Sequence, residues 1–144
     1  MRLHQLAAIL ALIFISCGDK KSGNSETPRD SLAISYTVLK TLPHDTEAFT
    51  EGLTIYDNKV FESTGQHGSS WIAEVDPGTG VHNKKVTLDN RYFGEGMTIL
   101  NDKIYYLTWQ TKVGFVYDAK TYKQIGEFKY DSEGWGLTHN NKEL

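Results

Sequence analysis

From Gly52 onward the chain runs in short alternations of apolar and polar residues, broken by turn residues. Gly52 to Tyr56, Lys59 to Thr64, Ser70 to Asp76 and Val81 to Leu88 each read as a strand. Between them stand Asp57-Asn58, the looser Gly65 to Ser69, and Pro77-Gly78-Thr79-Gly80. Asn and Gly accept the positive φ that tight antiparallel corners require. Val, Ile, Tyr, Phe and Thr dominate the runs, as a pleated, half-buried surface prefers. No segment sustains the 3.6-residue period of an amphipathic helix. Upstream, Ile34 to Leu42 predicts one further strand.

The pattern repeats. Glu51-Gly52-Leu53-Thr54-Ile55 returns 44 residues later as Glu95-Gly96-Met97-Thr98-Ile99, and 40 residues after that as Trp135-Gly136-Leu137-Thr138. Lys59 matches Lys103, Phe61 matches Tyr105, and Thr64 matches Thr108. Asp76-Pro77-Gly78-Thr79 matches Asp118-Ala119-Lys120-Thr121. Asn101-Asp102 and Ala119 to Thr121 therefore mark the corners of a second four-stranded unit. A period of about 40–45 residues built from short strands is that of β-propeller blades. The expected fold is all-β: two blades and the start of a third. Leu144 aligns with Ile104 and Val60, where the second strand of each earlier unit opens. Since the smallest closed propellers have about four blades, the sequence is expected to be the N-terminal part of a longer protein. In many propellers a strand such as Ile34 to Leu42 completes the last blade.

The beginning of the chain has a different character. Arg2 precedes an unbroken apolar run of ten residues, Leu6 to Ile15. A membrane-spanning helix needs about 20, so the run reads as the core of a signal peptide. It ends in Phe14-Ile15-Ser16-Cys17, similar to a bacterial lipoprotein processing site, which makes Cys17 the expected lipidation point. Residues 1–17 are thus assigned to the signal and lipobox, 18–32 to a flexible polar tether, and 33–144 to the propeller domain. Localisation in the cell envelope, through a lipid anchor on a bacterial membrane, follows as an expectation.

Composition narrows the chemistry. Cys17 is the one cysteine, so an intramolecular disulfide is excluded. Removing residues 1–17 would take away Arg2 alone and move the net charge from −3 to −4. A mildly acidic domain without basic clusters argues against nucleic acid and against electrostatic membrane binding. The histidines are His4, His44, His67, His82 and His139; they share no metal-ligand spacing and read as solvated loop residues. Gly65-Gln66-His67-Gly68-Ser69 lacks the Lys-Ser/Thr ending of a phosphate loop. No metal or other cofactor is expected.

One segment carries candidate chemistry. In Phe93-Gly94-Glu95-Gly96 a carboxylate stands between two glycines, where backbone can turn sharply. First strands line a propeller's channel, so Glu95 and its counterpart Glu51 are expected at one channel mouth. Trp109 ends the second strand of that blade, and Trp135 takes the Glu position in the next. Desolvation beside indole rings would raise a carboxyl pKa toward neutrality, as general acid–base work requires. Spacing alone also allows a water-facing turn carboxylate among space-filling tryptophans.

The motifs in order settle more. His44-Asp45-Thr46-Glu47-Ala48-Phe49-Thr50-Glu51-Gly52-Leu53 resembles the opening signature of the plant-type glutaminyl-peptide cyclotransferases. Phe61 to Gly65, Tyr92 to Gly96, Leu107-Thr108-Trp109, Gly114 to Asp118 and Glu133 to Thr138 resemble the signatures that follow. The resemblance covers Ile34 to Leu144. It implies a five-bladed propeller, monomeric at full length, that converts N-terminal glutamine of peptides or proteins to pyroglutamate without a metal. By the same resemblance Glu95 corresponds to the acid–base residue, and Trp109 and Trp135 to tryptophans lining the substrate pocket. Glu51 falls where the family often has Gln, a hydrogen-bonding pocket residue; an ionised carboxylate can only accept. An Asn, another Trp and a Lys of that pocket belong to later blades. The alternative reading is a non-catalytic propeller that binds a peptide or protein partner at the same channel mouth.

Overall fold

The structure, a computed structural model, describes residues 34–144. Residues 1–33, on which the expected signal segment, Cys17 and the expected tether fall, lie outside the described residues. From Val38 onward the chain forms one unit holding two four-stranded antiparallel sheets, each a meander in chain order. The first contains β1 (Thr50–Tyr56), β2 (Lys59–Thr64), β3 (Trp71–Val75) and β4 (His82–Thr87). The second contains β5 (Gly94–Leu100), β6 (Lys103–Thr108), β7 (Val113–Asp118) and β8 (Gln124–Lys129). The arrangement is that of two successive propeller blades, with strand limits close to those the sequence pattern predicts.

Local chemistry explains the corners. Asp57 and Asn58 adopt φ of 48° and 58°, and Asn101 and Asp102 adopt 52° and 59°. Two consecutive left-handed residues make the hairpin turn whose twist matches its flanking strands. At the next corner of each blade the Asp76 carboxylate accepts from the N–H groups of Gly78 and Thr79, and that of Asp118 from Lys120 and Thr121. These turns account for the Asp-x-x-Thr part of the repeat.

The core lies between the blades. Phe61 and Ile72 of the first sheet pack with Met97, Ile99, Ile104, Tyr106 and Phe115 of the second. Burying a large apolar side chain of this kind contributes about 1.5–3 kcal/mol. Every residue of β5 is buried, whereas Leu53 and Ile55 of β1 are 61% and 75% exposed. Three tyrosines bridge the junction: Tyr106 donates to the carbonyl of Thr64, Tyr122 to Glu74, and Tyr56 to Asp102.

The glycines of the first two repeats, Gly52 and Gly96, have a packing reason. A Cβ on Gly52 would lie 3.0 Å from the Met97 nitrogen and 3.3 Å from the Gly96 Cα. One on Gly96 would lie 2.7 Å from the Trp135 oxygen and 2.8 Å from the Gly136 Cα. Backbone meets backbone along the inner wall, and no side chain fits between. Gly94 serves a related purpose, since a Cβ there would fall 1.8 Å from the Tyr106 hydroxyl. Neither Gly94 nor Gly96 has positive φ, so close approach, not the sharp turn expected from sequence, is what requires them.

Three expectations need correction. Residues 34–42 form no strand; alternation there meets no strand edge with which to build a ladder. The third repeat, Trp135 to Thr138, is likewise not a strand, although Gly96 N–H donates to the Trp135 carbonyl at 2.8 Å. One bond places it beside β5 without making a ladder. Two of the histidines are not free loop residues. His44 Nε2 lies 2.9 Å from Glu62 Oε1, and His82 Nε2 lies 3.4 Å from Oε2 of the same fully buried carboxyl. Thr50 donates its hydroxyl to Glu62, and His82 packs its ring on Trp71 at 4.3 Å.

Candidate active site

The site is built from two bulges. Along β1 the register shifts between Thr50 and Gly52, leaving Glu51 without a cross-strand partner. Along β5 it shifts between Gly94 and Met97, leaving Glu95 and Gly96 outside the ladder. A bulge re-aims the side chain it carries, and bulges are common beside active sites. Because β1 and β5 meet through Gly52 and Gly96, the two bulges lie against each other and bring Glu51 beside Glu95.

The electrostatics follow from that placement. Glu95 is 3% exposed, and its Oε2 has no hydrogen-bond partner among the described residues. Glu51 is half-buried. Burial, the Glu51 charge and a hydrogen bond with Glu51 together raise the Glu95 carboxyl to about 7. Burial disfavours the charged form and a like charge disfavours it further. A carboxyl at that value can both give and take a proton near neutrality. Tyr106, deep in the core beneath, is pushed up by burial first and further by neighbouring negative charge.

Aromatic rings form a rim nearby. Phe93, two residues before Glu95, meets Trp109 edge to face at 5.6 Å, and Trp109 meets Trp135 at 6.0 Å. Trp109 is half-buried and Trp135 is 60% exposed. The backbone N–H of Trp109 donates to the Phe93 carbonyl at 3.0 Å, fixing the two rings to one strand end. The Trp109 indole N–H donates to Glu133 Oε2 at 3.1 Å, and Gln110 donates to the other oxygen of Glu133 at 3.4 Å.

The structure thus brings Glu51 and Glu95 together, and separately Trp109 with Trp135. Sequence reasoning missed two things. It anticipated desolvation, the largest cause of the raised carboxyl, but not the added charge of Glu51; the 44-residue repeat, which sets equivalent positions on adjacent inner strands, was the available signal. It also missed Glu133, which holds the Trp109 indole and lies in the run Glu133-Gly134-Trp135. A separate concavity of about 560 Å³ opens between Tyr56, Lys59, Phe61, Lys84, Asp102 and Lys120. It contains neither Glu51 nor Glu95, and its lysines are paired with Asp102 and Glu74.

Comparison with known proteins identifies the family. Residues 8–144 match the family model described as glutamine cyclotransferase. The chain is 40% identical over 109 residues to the glutaminyl-peptide cyclotransferase of Arabidopsis thaliana, covering 74% of this chain and 34% of that protein. It is also similar to the crystal structure of Myxococcus xanthus glutaminyl cyclase, with a TM-score of 0.64 and 28% identity over 70% of this chain and 42% of the other. The chain therefore spans about a third of the curated relative's length. A match across nearly all of the sequence, over a fold of two blades, places the chain in the glutamine cyclotransferase family.

Proposed function

We propose that the protein is a glutaminyl-peptide cyclotransferase, acting on peptides or proteins that begin with glutamine and releasing ammonia as pyroglutamate forms. The observation that carries the reading is Glu95: a buried carboxyl, raised to about 7, with an unpartnered oxygen at a strand bulge. The reaction needs such a group. The substrate's α-amine must lose a proton to attack its own side-chain carbonyl carbon, and the departing nitrogen must gain one. An ordinary Glu near 4.3 is a weak base toward an amine near 7.7, and the raised value closes most of that gap. Ring closure is intramolecular, so a rim that folds the glutamine side chain back on its amine supplies much of the rate. Trp109 and Trp135 are the rings on this chain suited to that task. Incubation of the full-length protein with a Gln-initiated peptide should yield the pyroglutamyl product, read by mass spectrometry as loss of ammonia. Binding of the peptide without that loss would favour a non-catalytic partner-binding propeller instead.

The same reading extends to location. Cys17 would carry lipid after cleavage of the signal, holding the enzyme at a bacterial envelope membrane on the 18–32 tether. Several acyl chains anchor stably, at about 0.8 kcal/mol per buried CH₂, where one chain alone binds marginally. Cys17→Ser should therefore shift the protein from the membrane to the soluble fraction. Mass spectrometry showing an intact signal, or cleavage away from Cys17, would refute the assignment.

A further inference from the structure

The second carboxylate has a more specific task than contact with substrate. Glu51 and Glu95 occupy equivalent positions of the repeat, each displaced from its ladder by a bulge, with the two bulges in backbone contact. Neither forms an ion pair among the described residues. Among the described residues near them the titratable groups are committed elsewhere, and the buried Ser63 hydroxyl, which faces Gly52, has no partner of its own. On β6, Tyr106 commits its hydroxyl to the Thr64 carbonyl. On β2, Glu62 is held by His44, His82 and Thr50. The third repeat presents the uncharged Trp135, and Glu133 beside it holds the Trp109 indole. A proton held between the two carboxyls would give the orphaned Oε2 of Glu95 a partner.

We propose that Glu51 and Glu95 form a one-proton carboxyl pair that divides the acid and base roles, Glu51 accepting the proton of the substrate's α-amine while Glu95 donates one to the departing nitrogen. The inference rests on the cyclisation reading above. The atoms balance. The α-nitrogen bonds to the side-chain carbonyl carbon and gives its proton to the Glu51 carboxylate. The bond from that carbon to the amide nitrogen breaks, and the nitrogen takes the Glu95 proton and leaves as ammonia. The pair still holds one proton, now on Glu51, and its return to Glu95 resets the site. A single carboxyl must perform the two transfers in succession; a pair can perform them together. The pair also carries one net negative charge, which attracts the protonated form of the amine; the step above starts once that form has given its extra proton to solvent.

Two readouts on the full-length protein test this. In Glu51→Gln, loss of the neighbouring charge should make Glu95 easier to ionise. Its carboxyl ¹³C resonance, recognised by its absence in Glu95→Gln, should then titrate at lower pH than in the wild type. At neutral pH kcat should fall by about 10²-fold or more, because Gln cannot accept the proton. Glu51→Asp, which restores a carboxylate, should recover much of the loss. A Glu95 titration unchanged by Glu51→Gln would overturn the pairing. A kcat kept within a few-fold, with activity merely extended to lower pH, would show Glu95 acting alone and overturn the division of roles. Absence of turnover in the wild type would defeat the cyclisation reading and the roles with it, while the titration would still decide whether the carboxyls share a proton.

Discussion

Glu95→Gln is expected to lower kcat by about 10²–10⁴-fold, the range for losing a general acid–base group, while leaving the fold intact. Gln has the shape of Glu but cannot exchange a proton. Its stability should not suffer, for a reason specific to this site. Wild-type Glu95 has an oxygen without a partner and a like charge beside it. An amide there can donate to the Glu51 carboxylate much as the shared proton does in the wild type, so the contact between the two side chains is kept. Activity and thermal midpoint should accordingly move apart, the first falling and the second holding. Near wild-type kcat in this variant would remove Glu95 from the reaction.

Glu62→Ala is expected to lose about 1–3 kcal/mol of folding stability, the usual cost of leaving buried polar groups without their partner. Glu62 is fully buried in β2, and His44, His82 and the Thr50 hydroxyl all converge on it. Removing the carboxyl leaves those groups without their acceptor and opens space in a closed interior. Glu62→Gln keeps one acceptor oxygen and should lose less. Urea denaturation at fixed pH measures both. A loss for Glu62→Ala below about 0.5 kcal/mol, the size of an ordinary surface substitution, would show that the cluster contributes nothing.

The two cases differ in how far the sequence announced them. Strands and corners were legible because a two-residue alternation and paired turn residues such as Asp57-Asn58 are local signals. The repeat then located the blades, and the motif around Glu95 located the candidate acid. What escaped depends on contacts across strands. Ile34 to Leu42 alternates like a strand, but alternation describes a face and says nothing of a neighbour to pair with. His44 and His82 stand 38 residues apart; the pairing of β2, β3 and β4 draws His82 to Glu62, and the segment before β1 brings His44 to it. A Glu in the strand run Phe61-Glu62-Ser63 did carry a hint, since a charge on a buried strand needs partners. Glu133 escaped because its link to Trp109 is formed between two loops.

The segment before β1 has a mechanical consequence. Tyr106 lies on the face of the second blade that meets the first, and Glu62 holds the same position in its own blade. Glu62 therefore points away from the second blade, to where a preceding neighbour would stand. The chain from Pro43 to Thr50 covers part of that face: Pro43 lies against Gly80, His44 and Thr50 hold Glu62, and the Phe49 carbonyl accepts from Gly65. Thr50 immediately precedes Glu51 in the chain. The segment is thus fastened at several points before it reaches the carboxyl pair, as a cable is clamped before its terminal. A pull arriving from upstream of His44 meets these contacts before it reaches Glu51.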